Sequence, residues 1–366
     1  MKKKKKFKNF KAINIKKVAN KLPLKKSKNT EDKLKGALSE VSKITEDTLQ
    51  DHREEVLGSA RKFIYPLQHS RHHFVRLSIG ILIAAIVVFF AYTSLEIYYF
   101  QSTSSFIYSI SNVIPFPVAK AGSRWVSYSS YLFQLRRNMH YYETQQQTNF
   151  STTNGKLQLV SLKKQAMNQV IQNAYVKQLA AKNNVKITNS QVNNEIKLVK
   201  EENRLGNNNQ VLEGVLKDYW GWTMSDFKRE LKQELLQQAV VAKLDTRTNQ
   251  TAANVYNQLI HGANFSTLAQ EYSTDTSTKN SGGQYPFTIT PNTANLAPQI
   301  TAIVFSMKPG QISEPINTGY SLEIIKVLSI TGNSIQAAHI QFNFQPISMY
   351  ISPLEKAHPY KEYISI

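Results

Sequence analysis

The chain has 366 residues, with 45 Lys and Arg against 25 Asp and Glu for a formal charge of +20, and it has no cysteine. That composition excludes a disulfide framework and an anchor built on a lipid-modified cysteine, without fixing the redox compartment. No phosphate loop, nucleophile elbow or dinucleotide fingerprint occurs, so no residue pattern points to nucleotide or serine-hydrolase chemistry.

The charge is uneven along the chain. Residues 1–76 hold 21 Lys and Arg against 8 Asp and Glu, and the remaining 290 hold 24 against 17. Residues 1–36 are a lysine tract. Beside the segment that follows, it reads as a partner for anionic lipid headgroups and a topology signal rather than a nucleic-acid contact. Residues 37–70 are charge-balanced, and Leu38, Val41, Ile44 and Leu49 are spaced for a short helix.

Leu77 to Leu95, LSIGILIAAIVVFFAYTSL, is nineteen residues without a charge, enough for a helix to cross a bilayer's hydrocarbon core. Arg71, His72, His73 and Arg76 crowd its front edge, and Tyr92, Tyr98, Tyr99 and Phe100 gather at its far end as interfacial aromatics do. The expectation is a single-pass helix over 74–98, with a cytoplasmic basic tail (1–70) and everything after about residue 100 extracytoplasmic by the positive-inside bias. A cleaved signal peptide would have a shorter apolar core nearer the N-terminus. His69, His72 and His73 read as part of the basic flank, so no metal and no cofactor is expected.

Beyond the span, PVAKAGSRWVSY has the punctuation of a short strand, a turn at Gly122 and Ser123, and a second strand entering a helix. Leu159, Leu162, Ala166, Val170, Ala174 and Leu179 then recur at helical spacing. Thr188 with Gln191 offers a capping box for the next helix. A further helix runs through Val211, Val215, Leu216 and Tyr219 to a break at Gly221, where Thr223 with Asp226 offers a second box. This stretch, ending in GWTMSDFKREL, resembles the N-terminal chaperone domain of the SurA/PrsA/PpiD class of extracytoplasmic foldases, although AKAGSRWV departs from the class's strand entry by lacking its Asn.

Residues 252–330 carry Gly262, Ala263, Asn264, Phe265, Leu268 and Ala269, then Tyr272 and Ser273, Gly282 and Gly283, Phe305, PGQIS at 309–313 and IIKV at 324–327. In that order they resemble the parvulin family of peptidyl-prolyl isomerases. The resemblance implies a pocket of strand histidines, a Cys or Asp, and Leu/Met and Phe side chains. It places the Cys/Asp position at Asp275 or Thr276, the Leu/Met position at Leu296 and the Phe position at Ile300, with Phe305 and Phe287 as further substrate contacts. The last strand's histidine is replaced by Glu323. An active isomerase and a degenerate, binding-only fold therefore both stay open.

The family's first strand should precede residue 252, where AKLDTRTNQ is poor in β-formers. SIQAAHIQFNF, at 334–344, resembles that strand, with Ile340, Phe342 and Phe344 alternating against His339, Gln341 and Asn343. A permuted unit is expected, its first strand delivered by a hairpin from the C-terminal side. An odd loop centred on Thr331 would set His339 against Glu323. An even loop at Gly332 and Asn333 would set His339 against Lys326 and turn Glu323 away.

The fold class expected is α+β: the transmembrane helix, an all-helical chaperone-like domain (113–243), a parvulin-like domain (250–345) with a small antiparallel sheet, and a C-terminal extension (346–366). The expected catalytic residues are His339, Asp275, Thr276 and Glu323, with Leu296, Ile300, Phe305 and Phe287 binding substrate. The expected partners are unfolded or proline-containing polypeptides and the membrane, with no nucleic acid; a homodimer is left open.

Overall fold

The computed structural model describes residues 46–64, 70–203, 205–206, 208–291, 293 and 296–366. The lysine tract, His69 and the apolar residues Leu38, Val41 and Ile44 lie outside them. The chain divides into two compact units, Met1–Ile86 and Val87–Ile366.

In the first unit α1 (Glu46–Ile64) opens with Glu46 and Asp47, acids that favour a helix N-terminus. Its described side chains are mostly exposed. Helix α2 (Ser70–Ser94) starts in this unit, crosses the division and runs into a π-helical turn over Leu95–Tyr99. Residues 73–99 are the one helical stretch, among the described residues, long and apolar enough to cross a membrane, with a mean hydropathy of 2.6. From residue 73 to 92 its side chains face outward all round, as with Ile81, 62% exposed, whereas Ile97 is buried. That pattern suits lipid, not an amphipathic surface helix.

The second unit has two lobes. In the helical lobe, β1 (Pro117–Ala121) and β2 (Arg124–Ser127) form a hairpin whose turn residue Gly122 has φ 56, a region that favours glycine. Around it are α3 (Ser105–Val113), α4 (Tyr128–Thr144), α5 (Thr153–Lys182), α6 (Asn189–Glu202), α7 (Asn209–Trp220) and α8 (Met224–Leu244). Both capping boxes form, Thr188 with Gln191 and Thr223 with Asp226. Helix α7 stops at Gly221 in the left-handed region. One core joins Tyr128, Tyr131, Leu132 and Leu135 of α4 to Leu162, Met167 and Tyr175 of α5. A smaller one gathers Phe133, Val192, Ile196, Leu216, Trp222 and Leu231.

One expectation needs correction. The helical lobe is not all-helical, since β1 and β2 form within it, and the C-terminal extension, residues 346–366, docks on it. Helix α12 (Ser348–Ala357) packs on α5, and β6 (Lys361–Glu362) pairs antiparallel with β1, giving the sheet order β2-β1-β6. Ile351 and Ile364 join the first core, and the Tyr175 hydroxyl donates to the His358 carbonyl at 2.7 Å. The reason is twofold: the open edge of β1 has backbone groups to satisfy, and so short a tail cannot bury a core of its own.

The second lobe follows α8 with no linker. Asp245 ends α8 and caps α9 (Thr246–Ile260), its carboxylate accepting from the N–H of Thr248 at 3.1 Å and of Gln345 at 2.8 Å. Helices α10 (Phe265–Tyr272) and α11 (Pro298–Val304) flank a sheet of order β3-β4-β5, made of β3 (Ile316–Asn317), β4 (Ser321–Thr331) and β5 (Ser334–Asn343). Both faces of this sheet are covered. Leu322, Ile324, Ala338, Ile340 and Phe342 pack on α9 and α10. Ile325, Val327, Ile335 and Ala337 pack with Leu296, Ile300, Val304 and Met307 on the other side.

Candidate functional site: a histidine held between two carboxylates

β4 and β5 meet in a two-residue turn, Gly332 and Asn333, with Thr331 opposite Ser334. Continued regularly, that even loop would set His339 against Lys326. The ladder is interrupted between Val327 and Ser329, however, so that Leu328 is the extra residue of a β-bulge and His339 falls opposite Ile325. Neither expected register forms. The bulge restores the face parity that the even loop alone would lose, and Glu323, two residues from Ile325, lies on the same face as His339.

His339 is 4% exposed and Glu323 8%. His339 Nδ1 is 2.9 Å from Glu323 Oε2, and its Nε2 is 2.9 Å from Asp275 Oδ2 and 2.8 Å from Thr278 Oγ1. The Tyr285 ring stacks on the imidazole at 4.3 Å between centroids, and its hydroxyl donates to Glu323 Oε2 at 3.3 Å. A neutral imidazole has one N–H to donate, and here both ring nitrogens face carboxylates.

The segment after α10 delivers Asp275, Thr278 and Tyr285 by acting as a further edge to β5. The Thr274 N–H donates to the Gln341 carbonyl at 2.7 Å, the His339 N–H to the Gly283 carbonyl at 2.8 Å, and the Tyr285 N–H to the Ala337 carbonyl at 3.1 Å. Gly283 has φ 78, and a Cβ there would meet the His339 carbonyl oxygen at 2.1 Å, so the close approach requires glycine.

Partial burial of Asp275 disfavours its charge. The hydroxyls of Thr278 and Ser277, the Ser277 N–H and His339 outweigh that and hold its carboxyl well below the usual range. Burial, then the charge of Glu323 and the hydrogen bond to it, push the Tyr285 phenol well above its ordinary value.

Of the residues expected at the site, His339, Asp275 and Glu323 come together. Thr276 is exposed on the turn, and Thr278, two residues on, is the threonine that touches His339. Leu296 and Ile300 are buried beneath the same sheet face. Phe287 and Phe305 are exposed at 40% and 39%, and the Phe287 ring lies 5.3 Å from that of Tyr285. Sequence reasoning missed Thr278 and Tyr285. The i, i+3 spacing of Asp275 and Thr278 and an aromatic just after the Gly282–Gly283 pair were the available signals.

Two family models match the chain: the SurA-like N-terminal domain over residues 67–241 and the PPIC-type PPIASE domain over residues 234–329. "Foldase protein PrsA" of Caldanaerobacter subterraneus subsp. tengcongensis is 27% identical over 193 residues, covering 48% of this chain and 60% of that protein. "Parvulin-like PPIase" of Rickettsia typhi is 30% identical over 132 residues, covering 32% and 45%. The chain thus spans about half the length of these relatives. A crystal structure of peptidylprolyl isomerase (PrsA) from Bacillus anthracis shares 20% identity over 52% of this chain and 86% of that one, with a TM-score of 0.17. In chain order, a region similar to SurA-like N-terminal domains is thus followed by one similar to PPIC-type PPIASE domains.

Proposed function

We propose that this protein is a membrane-anchored folding factor. Its parvulin lobe catalyses cis-trans isomerisation of X-Pro bonds in exported polypeptides, and its helical lobe holds unfolded segments. Residues 73–99 would be the single span, with the N-terminus and its lipid-facing lysine tract inside and both lobes outside. The observation that carries the catalytic part is His339, buried and engaged at both ring nitrogens by Glu323, Asp275 and Thr278, of which the two acids and the threonine lie inside the stretch matched to the PPIC-type domain.

Rotation about the prolyl amide needs no covalent step. Its barrier comes from amide resonance, and a site lowers it by binding the twisted amide better than the planar one. In this reading Asp275, Glu323 and Thr278 fix the imidazole. Leu296 and Ile300 supply apolar backing, Phe287 and Phe305 meet the proline ring at the surface, and Thr276 stands at the rim. We also read β5 as the family's first strand, supplied from the C-terminal side. The stretch before residue 252 is helical, α8 running into α9, so no strand stands there and β5 is the long strand that pairs with β4, which supports that permutation.

A protease-coupled prolyl-peptide assay on the full chain in detergent tests the reading. The expected result is acceleration over the uncatalysed rate that His339→Ala removes. No acceleration overturns the isomerase and leaves a second reading, a parvulin fold that only binds clients, which Glu323 at a histidine position and Ile300 at an aromatic one favour. Protease added outside intact cells is expected to cleave beyond residue 100 and spare the lysine tract.

A further inference from the structure

A cleft of about 250 Å³ opens in the helical lobe, walled by β2, α4, α5 and α8 and separate from the His339 site. Three cations from three elements line it: Arg124 of β2, Lys177 of α5 and Arg229 of α8. Its one carboxylate, Glu230, is already engaged. It accepts from Gln134 Nε2 at 2.9 Å and from Arg137 Nη1 at 3.4 Å. Arg229 donates to the Ser130 hydroxyl at 3.2 Å and lies 4.4 Å over the Phe133 ring, neither of them an anion. Desolvation, then the charges of Arg229 and Arg124, lower the Lys177 ammonium pKa, with Glu230 opposing. An anion arriving among these groups would relieve that repulsion.

The wall also holds unmet amide groups. Gln134 is 2% exposed, and its Oε1 has no partner; Gln233 Nε2, a donor, is buried and has none. Buried amide atoms in that condition are uncommon and call for a partner. One free acceptor and one free donor match the N–H and C=O of a peptide group. A phosphodiester offers no donor to Gln134. Trp125, 61% exposed on the cleft's lip, gives an adjoining side chain an apolar surface.

We propose that this cleft is a second client-contacting site that takes an acidic, extended polypeptide segment. Arg124, Lys177 and Arg229 hold a carboxylate, and the Gln134 and Gln233 amides meet the neighbouring main chain. The proposal rests on the folding-factor reading for the nature of the ligand, and it uses no residue of the isomerase site.

Fluorescence anisotropy on the full chain in neutral detergent tests it with three labelled, proline-free peptides of equal length. One carries a central Glu and an amidated end, one the Glu→Gln change with an amidated end, and one the same Gln with a free C-terminus. The Glu peptide is expected to bind about tenfold more tightly than the amidated Gln peptide, as one charge-assisted contact implies. Arg124→Gln with Lys177→Gln is expected to erase the difference, and Lys177→Arg to keep it. Tighter binding of the free-acid peptide, with the Glu effect absent, also supports the site and assigns it to chain ends. Equal binding of all three peptides overturns the proposal, as does discrimination that survives the double variant. Phosphatidylglycerol vesicles that bind the wild type but not the double variant, with no peptide bound, overturn it in favour of a lipid site. The prolyl-peptide assay runs on the same preparations. Discrimination lost with isomerisation kept overturns the cleft alone, and isomerisation absent with discrimination kept overturns the isomerase alone.

Discussion

His339 Nδ1 lies 2.9 Å from Glu323 Oε2 although the two are diagonal, not opposite, in the β4–β5 ladder, and they share a face because Leu328 is bulged out between them and the turn. Leu328 is itself 38% exposed, so its side chain matters little and its place in the count matters greatly. Leu328→Ala is expected to change stability by less than about 0.5 kcal/mol. Deleting Leu328 would turn Glu323 toward the apolar face lined by Leu268 and Phe342, and is expected to cost more than about 3 kcal/mol. Urea midpoints of the two variants measure the contrast.

The depressed carboxyl of Asp275 sets an acid sensitivity. A carboxylate whose folded pKa lies below its unfolded value adds stability above the unfolded pKa, near 4, and loses it as pH falls through the folded value. Stability is expected to decline below about pH 4. Asp275→Asn should be less stable at neutral pH and decline less steeply in acid, as read from denaturant midpoints across that range. An unchanged slope would mean the hydroxyls of Thr278 and Ser277 do not favour the charged form.

Gly283→Ala is expected to be severe. The new methyl would collide with the His339 carbonyl oxygen at a residue whose φ is already positive. Strain and the loss of the His339 N–H bond to the Gly283 carbonyl together imply a cost of at least about 2 kcal/mol. Gly310→Ala has a comparable φ of 82 and nothing within 4 Å, so it reports the backbone strain alone. Thermal unfolding of both variants separates the collision from the strain.

Asp245 is 2% exposed and ties the first helix of the parvulin lobe to the residue that leaves its last strand. Asp245→Ala removes a cap and leaves the N–H of buried Thr248 and that of exposed Gln345 without their carboxylate. The expected loss is about 2 to 3 kcal/mol. Asp245→Asn, which keeps an acceptor, should retain part of it in the same denaturation measurement.

Truncation after Gln345 is expected to damage the helical lobe, distant in sequence, more than the parvulin lobe next to it. It uncovers the core that Ile351 and Ile364 fill and frees the edge of β1. Limited proteolysis should show new cuts within α5 before any in β4 or β5; the reverse order would contradict the docking of α12 and β6.

Local signals in the sequence determined a good deal of this protein. The helicity of the charge-free run of 77–95, the two capping boxes, the stop at Gly221, the Gly122 turn and the alternation of β5 all form as read, because each depends on neighbours within a few residues. His339, Asp275 and Glu323 were legible as candidates through the order of family motifs around them, while the two possible registers left open whether Glu323 would face His339. Three things only the tertiary structure decided. A single bulged residue set the register of β4 on β5, since an extra residue inside a half-exposed strand leaves no pattern to read. The end of the chain crossed back to β1 and α5, because unpaired edges and uncovered apolar faces are satisfied in space without regard to sequence distance. And Thr278, not Thr276, reached the imidazole, because the turn after Asp275 aims one hydroxyl inward and the other at solvent.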